Sequence, residues 1–230
     1  MLPQRLSQEA ERGRRIGGPI LIEATAICRG IHGAGQPTQG PEPGGAKEGW
    51  ARQRVIRGLE EAALVRWACE RGFWLGSGLY ERAWRAGGGR QEGEARVHFD
   101  EAKNVVIKAN DGNLHRTWSE FFDRIALHNF LFPESFYRLT GFTRREGFFG
   151  PDCFAPLLEQ PFVEGKGARR LEVEEEMRRL GFTRIRDDDY ANKDWGLRVD
   201  DLHEENTLSN RHGVQIIDPV IRSLCSTQCA

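Results

Sequence analysis

Three side chains in the last third of the sequence have the types and spacing that phosphoryl transfer requires. Asp201 and Asn206 stand five residues apart in the run DLHEEN, and Asp218 follows twelve residues later. Oxygen atoms of carboxylates and amides are ligands that Mg²⁺ accepts, with substrate phosphates and water completing the shell. A carboxylate outside that shell can orient an attacking hydroxyl and take its proton. We therefore expect Asp201 to act as a base, and Asn206 and Asp218 to hold a metal ion.

The chain between Asn206 and Asp218 has the pattern of a β-hairpin. Short runs at residues 207–208 and 214–217 flank the turn SNRHG, whose Gly213 suits a tight loop. A hairpin returns the chain to its starting point, so we expect Asp218 to lie beside Asn206. The alternative is a solvated acidic loop, and the joint occurrence of the two spacings argues against it.

The run from Asp201 to Asn206 resembles the Asp-Leu-His-x-x-Asn catalytic loop of aminoglycoside and choline kinase-like enzymes. With HNFLFP at 128–133, EQPFV at 159–163 and IDPV at 217–220, the chain resembles the serine/threonine/tyrosine kinase-like domain found in polyvalent proteins of phages and other mobile elements. The resemblance covers residues 60–222. It implies an α+β, two-lobed protein kinase-like fold with a small β-rich N-lobe and an abbreviated C-lobe. It also implies ATP and Mg²⁺ as cofactors.

Two neighbours of Asp201 are expected to have supporting roles. In the resembling enzymes the loop histidine holds the loop through hydrogen bonds, and we prefer that role for His203 to acid catalysis. Asp201 and not Asp200 lies five residues before Asn206. We therefore expect Asp200 to be a neighbour of the base.

Lys108 is the candidate for a lysine on the ATP phosphates. It ends the β-branched run VVIK, as a buried strand that delivers an ammonium group would. A lysine after an apolar strand is otherwise an edge charge in solvent, and the order of motifs along the chain favours the first interpretation. Gly89 and Gly93 stand before it, where a glycine-rich hairpin could let backbone N–H groups approach phosphates. A plain linker is an equal alternative for these glycines.

The helix after this strand offers two acidic partners for Lys108. Apolar residues at helical spacing predict a helix over residues 117–132. Glu120 is the obvious acid, but Thr117 and Glu120 also match a capping box, which we favour. Asp123 is the alternative, and the choice stays open.

Residues 159–165 are predicted to form a hinge that holds adenine through backbone groups. A strand-like run ends at Pro161, and the candidate binding residues here are Glu159, Gln160 and Phe162. An ordinary buried strand that ends at a proline is the alternative.

Composition predicts one domain with a tail at each end. Glycine and proline recur through residues 1–50, so this segment is expected to be mostly disordered. The kinase-like domain is predicted over residues 51–222, with the N-lobe to about residue 158 and the C-lobe over 166–222. Residues 223–230 form the second tail. A helix with Val55, Leu59 and Trp67 on its apolar face should precede the small lobe.

Charge and hydropathy exclude several classes of protein. The net charge is −1 and the basic residues are dispersed, so we expect no nucleic-acid binding. No apolar run approaches the length of a membrane helix or resembles a signal peptide, which predicts a cytoplasmic protein. The five cysteines show no zinc-binding spacing and are expected to be free thiols.

Three functions are compatible with these patterns. The first is an ATP- and Mg²⁺-dependent phosphotransferase acting on a hydroxyl acceptor, with protein Ser, Thr or Tyr as the first expectation. The second is a pseudokinase or interaction module that binds nucleotide without transfer, since only twelve residues follow Asp218. The third and weakest is a metal-dependent nuclease or phosphodiesterase using Asp200, Asp201, His203 and Asp218.

Overall fold

The computed structural model describes residues 4–34, 46–92, 95–147 and 150–224. In these ranges the helices are α1 Gln4–Ile16, α2 Pro19–Ala34, α3 Ala46–Arg71, α4 Ser77–Ala86, α5 Trp118–Leu131 and α6 Arg170–Arg179. A short 3-10 helix spans Pro133–Ser135. The strands are β1 Arg90–Glu92, β2 Ala95–Asp100, β3 Val105–Asn110, β4 Arg138–Gly147, β5 Gly150–Pro161, β6 Lys166–Gly167, β7 Thr183–Arg186, β8 Asp189–Asn192, β9 Leu197–Asp200, β10 Thr207–Asn210, β11 Gly213–Ile216 and β12 Val220–Ser223.

These strands form three sheets, and the chain is therefore an α+β protein. The largest sheet has the order β1-β2-β3-β5-β4. The others have the orders β11-β10-β6 and β12-β9-β8-β7. The predicted helix after β3 is confirmed as α5, and the predicted hairpin is confirmed as β10 and β11.

The chain divides into two compact units. One comprises the described parts of residues 17–123 and 138–160, and it contains the five-stranded sheet. The other comprises the described parts of residues 1–16, 124–137 and 161–230, and it contains the two smaller sheets. The chain passes from one unit to the other at four points, which follow Ile16, Asp123 inside α5, Tyr137 and Gln160.

In the first unit, β3 is an interior strand between β2 and β5. Its register with β2 pairs Lys108 with Val97 and Ile107 with His98. Tyr80 of α4 packs against the sheet in a buried cluster with Ala109, Ala155 and Leu157. Helix α4 therefore covers the side of β3 that carries Ala109, because alternate residues of a strand face the same side.

The second unit has one apolar core that joins helices to both small sheets. Leu6 and Ala10 of α1 are buried in it, as are Leu127 and Leu131 of α5. The remaining buried members are Ala126, Phe132, Ala168, Val173, Met177, Phe182, Tyr190, Leu197, Val199, Leu202, Ile216 and Ile221.

The expectation of a disordered segment over residues 1–50 is wrong for residues 4–34, which contain α1 and α2, and for residues 46–50, which begin α3. Leu21, Ala24 and Cys28 recur at helical spacing on one buried face of α2. The glycine and proline content misled the prediction, because Gly13 lies within α1, where it packs closely against Ala126, and Gly18 and Pro19 form the junction between α1 and α2. Gly18 has a φ of +90° between α1 and α2, and Pro19 opens α2, where proline is well tolerated. Residues 1–3 and 35–45 lie outside the described part of the chain.

The helix predicted before the small lobe is present as α3, but its predicted apolar face is wrong at Val55 and Leu59, whereas Trp67 packs against Phe73 and Phe142. Val55 and Leu59 are exposed, whereas Glu60, Leu64 and Ala68 are fully buried. The buried face of α3 therefore lies one residue further along the sequence than the predicted face. Its first member is a carboxylate, and this is why hydrophobicity alone could not locate it.

Candidate active site

The loop after β9 is closed by Asn206. Its side-chain Nδ2 donates to the backbone oxygen of Asp201 at 2.9 Å and to Asp201 Oδ2 at 3.1 Å. The five-residue spacing thus produces a direct side-chain contact. Because the amide nitrogen of Asn206 donates hydrogen bonds within the loop, its amide oxygen is the atom suited to a cation.

Asp201 adopts a left-handed backbone conformation with φ +67°. Asparagine and aspartate are among the few L-residues that occupy this region. The sharp turn ends strand β9 at Asp200 and exposes the carboxylate of Asp201.

His203 belongs to the same loop. Its Nε2 lies 3.1 Å from Asn206 Nδ2 and 3.4 Å from Asp201 Oδ1. Its Nδ1 lies 3.3 Å from the backbone nitrogen of Glu205, and its backbone oxygen accepts from Thr207 Oγ1 at 2.9 Å. These contacts are those of a residue that holds the loop together.

Backbone pairing brings the chain around Asp218 to this loop. In the hairpin, Thr207 pairs with Ile216, and the Ile217 N–H donates to the oxygen of Asn206 at 2.9 Å. In the neighbouring sheet, Val220 pairs with Asp200. Asp218 is therefore the next residue after Ile217, whose N–H is bonded to Asn206. The side chain of Asp218 is exposed.

Tyr137 is a contact of Asp218 that sequence reasoning missed. Its hydroxyl lies 3.0 Å from Asp218 Oδ1 and 2.7 Å from the backbone oxygen of Ile217. Arg124 also contacts this turn, where its Nη2 donates to the backbone oxygen of Pro219 at 2.9 Å. The tyrosine is 81 residues from its partner, so no local spacing could reveal it.

Asp200 is part of an ion network. It accepts from Nε of Arg198, and Arg222 lies 3.8 Å from its other oxygen. Arg198 also reaches Asp189 at 2.7 Å. Burial raises the pKa of Asp200, while the hydrogen bond and charge of Arg198 oppose that rise. These contacts explain Asp200 as a structural residue. They therefore weaken the hypothesis of a metal-dependent nuclease that uses Asp200.

Lys108 lies in the other unit, on interior strand β3. Only 8% of the residue is exposed. The alternative of an edge charge kept in solvent is therefore wrong for Lys108. Burial of a charged ammonium group costs desolvation free energy. A lysine this well buried on an interior strand is therefore uncommon.

The two acidic candidates on α5 both have defined contacts. Glu120 accepts from the backbone N–H of Arg116 at 3.0 Å, and its own N–H donates to Thr117 Oγ1 at 3.1 Å. Thr117 thus caps the helix as predicted, whereas Glu120 reaches back to the N–H of Arg116 and not to that of Thr117, as a capping box would require. Asp123 accepts from Arg29 Nη2 at 3.1 Å.

Gly89 packs against an indole ring. A Cβ at this position would come within 2.3 Å of Trp84 Nε1, and the Gly89 N–H donates to the oxygen of Trp84 at 2.8 Å. Close packing therefore explains this glycine without a phosphate. Gly93 lies outside the described residues.

The predicted hinge residues occupy the end of β5 and the loop after it. Glu159 forms an ion pair with Lys103 at 2.9 Å, Gln160 is buried, and Phe162 is 45% exposed. The division of the chain into two units falls between Gln160 and Pro161. The side chain of Glu159 is thus engaged by Lys103, and Glu159 itself pairs with Arg138 in the ladder of β4 and β5.

The oxygen donors near Asp201 suit magnesium better than a transition metal. No three His, Cys, Asp or Glu side chains converge as a metal-binding group within the described ranges. Magnesium is usually bound by one or two protein oxygens together with substrate phosphates. The amide of Asn206 and the exposed carboxylate of Asp218 fit that requirement.

The α+β architecture, with its five-stranded sheet and several helices, is compatible with a kinase-like fold. A family model described as "Serine/Threonine/Tyrosine Kinase found in polyvalent proteins" matches residues 58–224. The chain belongs to this family, as the resemblance over residues 60–222 implied. No curated protein and no solved structure matches the chain. In the part of the chain that the structure describes, no helix is both long and apolar enough to span a bilayer.

Proposed function

We propose that the protein is a kinase that transfers the γ-phosphoryl group of ATP to a hydroxyl acceptor, with protein Ser, Thr or Tyr as the first candidate. The observation that carries this proposal is the contact of Asn206 with Asp201, with Asp218 in the adjacent turn. Membership of a kinase family supports the same conclusion.

In the proposed reaction Asp201 accepts a hydrogen bond from the acceptor hydroxyl and takes its proton. A bond forms between the acceptor oxygen and the γ-phosphorus, and the bond from that phosphorus to the β,γ-bridging oxygen breaks. ADP leaves with the electron pair of that bond. Positioning and electrostatics supply most of the rate enhancement in such transfers. The left-handed turn at Asp201 supports this role because it exposes the carboxylate.

Asn206 and Asp218 would hold Mg²⁺, which when bound neutralises charge on the phosphate oxygens. The amide nitrogen of Asn206 anchors the loop, so its oxygen is the ligand atom. Asp218 contributes a carboxylate oxygen.

Lys108 would pair with phosphate oxygens, and backbone groups from Glu159 to Phe162, including Gln160, would contact adenine. Burial of Lys108 on an interior strand supports the first role. The unit boundary after Gln160 supports a hinge at that point. The two-lobed kinase-like fold, with a hinge at residues 159–165, is part of the same proposal. Gly89 is a weaker candidate for phosphate contact because Trp84 already explains it.

A pseudokinase is the second candidate. One observation favours it, because both carboxylate oxygens of Asp201 have neighbours within the loop, at Asn206 and His203. A base needs one oxygen available for the acceptor. A pseudokinase would bind nucleotide and transfer nothing.

Incubation with γ-labelled ATP and Mg²⁺ tests the proposal, with Asp201→Ala and Asp218→Ala alongside. We expect label on the protein or on an added protein acceptor, and loss of label in both variants. Thermal stabilisation by nucleotide without any label transfer would instead identify a pseudokinase. A protein that is neither stabilised by nucleotide nor labelled by ATP would contradict both candidates.

A further inference from the structure

We propose that Tyr137, Asn129 and helix α1 form a positioning relay that fixes the carboxylate of Asp218 towards its cation. The relay rests on the proposed function, in which Asp218 is a metal ligand. Every residue in it belongs to the second unit.

The first step is the hydroxyl of Tyr137. It lies within hydrogen-bond distance of both Asp218 Oδ1 and the backbone oxygen of Ile217. A tyrosine hydroxyl has one proton, so Asp218 Oδ1 and the backbone oxygen of Ile217 share it as two acceptors in the same turn. This contact restricts rotation of an exposed carboxylate. Hydrogen bonds to a ligating carboxylate orient it and tune metal affinity.

The second step is Asn129, which is fully buried. Its Oδ1 accepts from the N–H of Tyr137 at 2.7 Å, and its Nδ2 donates to the oxygen of Tyr137 at 2.8 Å. Two hydrogen bonds from one amide fix the backbone of Tyr137 at both polar groups. The ring of Tyr137 also contacts His128, with centroids 4.5 Å apart. The tyrosine is therefore held in a defined place before any ligand binds.

The third step joins Asn129 to α1. Asn129 Nδ2 also lies 3.3 Å from the backbone oxygen of Gly13. A Cβ on Gly13 would lie 1.7 Å from the oxygen of Ala126. Only glycine permits α1 to approach α5 this closely. The family model begins at residue 58, so α1 lies outside the matched region. It is connected to Asp218, the proposed metal ligand, through Asn129 and Tyr137.

The test measures Mn²⁺ binding by electron paramagnetic resonance in the presence of a non-hydrolysable ATP analogue, and it needs no turnover. We expect Tyr137→Phe to weaken Mn²⁺ binding about tenfold, as loss of a partner to a metal ligand commonly does. Gly13→Ala should weaken binding in the same direction. In the double variant the two effects should be clearly less than additive, because both act through one pathway.

Tyr190→Phe is the matched control, since Tyr190 is an equally buried tyrosine outside the relay. Wild-type protein that fails to bind Mn²⁺ with nucleotide would contradict the proposed function itself. Wild-type binding with no difference between Tyr137→Phe and Tyr190→Phe would contradict the relay alone. Fully additive effects would also overturn it. Should Gly13→Ala fail to fold, Asn129→Asp replaces it in the cycle, because the carboxylate keeps the acceptor for the Tyr137 N–H and loses both donors.

Discussion

At the scale of single residues, Asp201 combines a left-handed backbone conformation with a proposed role as the catalytic base. A left-handed conformation costs an L-residue roughly 1–2 kcal/mol, and aspartate or asparagine tolerate it best. The same position therefore has a conformational requirement and a requirement for charge. Substitution by alanine would change both, whereas asparagine changes only the charge.

We expect Asp201→Asn to reduce phosphoryl transfer by roughly 10² to 10⁴, the usual contribution of a general base. Its melting temperature should match that of the wild type, because asparagine accepts the left-handed turn and keeps an acceptor for Asn206. Label transfer and circular dichroism melts measure the two quantities. Transfer at the wild-type rate would show that Asp201 is not the base.

At the scale of secondary-structure elements, the start of α5 depends on a carboxylate from another helix. Glu60 of α3 accepts from the N–H of Trp118 at 2.7 Å and of Ser119 at 3.2 Å. Its Oε1 also lies 2.9 Å from His32 Nε2. Negative charge at a helix N-terminus is favourable, and here it also satisfies backbone groups that would otherwise be orphaned.

Glu60→Ala should lower the free energy of unfolding by roughly 2–3 kcal/mol, because it leaves buried N–H groups without a partner. Glu60→Gln is the matched control, since it keeps one acceptor oxygen and the shape of the side chain. Urea denaturation measures both. An alanine variant as stable as the glutamine variant would show that Glu60 does not support α5.

Glu60 should also make stability depend on pH. Burial raises the pKa of Glu60, while hydrogen bonds from Trp118, His32 and Ser119 oppose that rise. A carboxyl group whose pKa is higher in the folded state stabilises the fold below its unfolded pKa of about 4.3, and this contribution is lost as pH rises through the folded pKa. Between acidic and neutral pH, wild-type protein should therefore lose stability relative to Glu60→Gln. A constant difference across that range would contradict the raised pKa.

At the scale of the whole molecule, the described helices before residue 58 are integral to both compact units. Leu6 and Ala10 of α1 are buried in the core of the second unit, and Leu21 and Cys28 of α2 are buried in the first. The region matched by the family model is therefore smaller than the region that buries apolar surface.

Deletion of residues 1–34 should destabilise the protein by about 3–6 kcal/mol from the two leucines alone, at roughly 1.5–3 kcal/mol for each buried side chain. The truncated chain should also bind a hydrophobic dye that the intact chain does not bind. Chemical denaturation and dye fluorescence measure these effects. Equal stability of the two chains would restore the interpretation of this segment as a tail.

Local spacing predicted much of the candidate site, and tertiary contacts account for what it missed. The contact of Asn206 with Asp201 lies within one loop, and the hairpin that follows is encoded by alternation and a glycine turn. Tyr137 meets Asp218 across 81 residues, which no short pattern records. Composition suggested disorder for α1 and α2 because glycine is needed there for close packing and for turns, and composition cannot distinguish those uses from a linker.

The most direct test of the central claim is isothermal titration calorimetry of ATP binding with and without Mg²⁺, for wild type and Asp218→Asn. If Asn206 and Asp218 hold the cation that binds the ATP phosphates, Mg²⁺ should tighten ATP binding to the wild type about tenfold or more. A tenfold change corresponds to about 1.4 kcal/mol. The variant should lose most of that gain. ATP binding that is insensitive to Mg²⁺ in the wild type, or equally sensitive in both proteins, would contradict the assignment of this site.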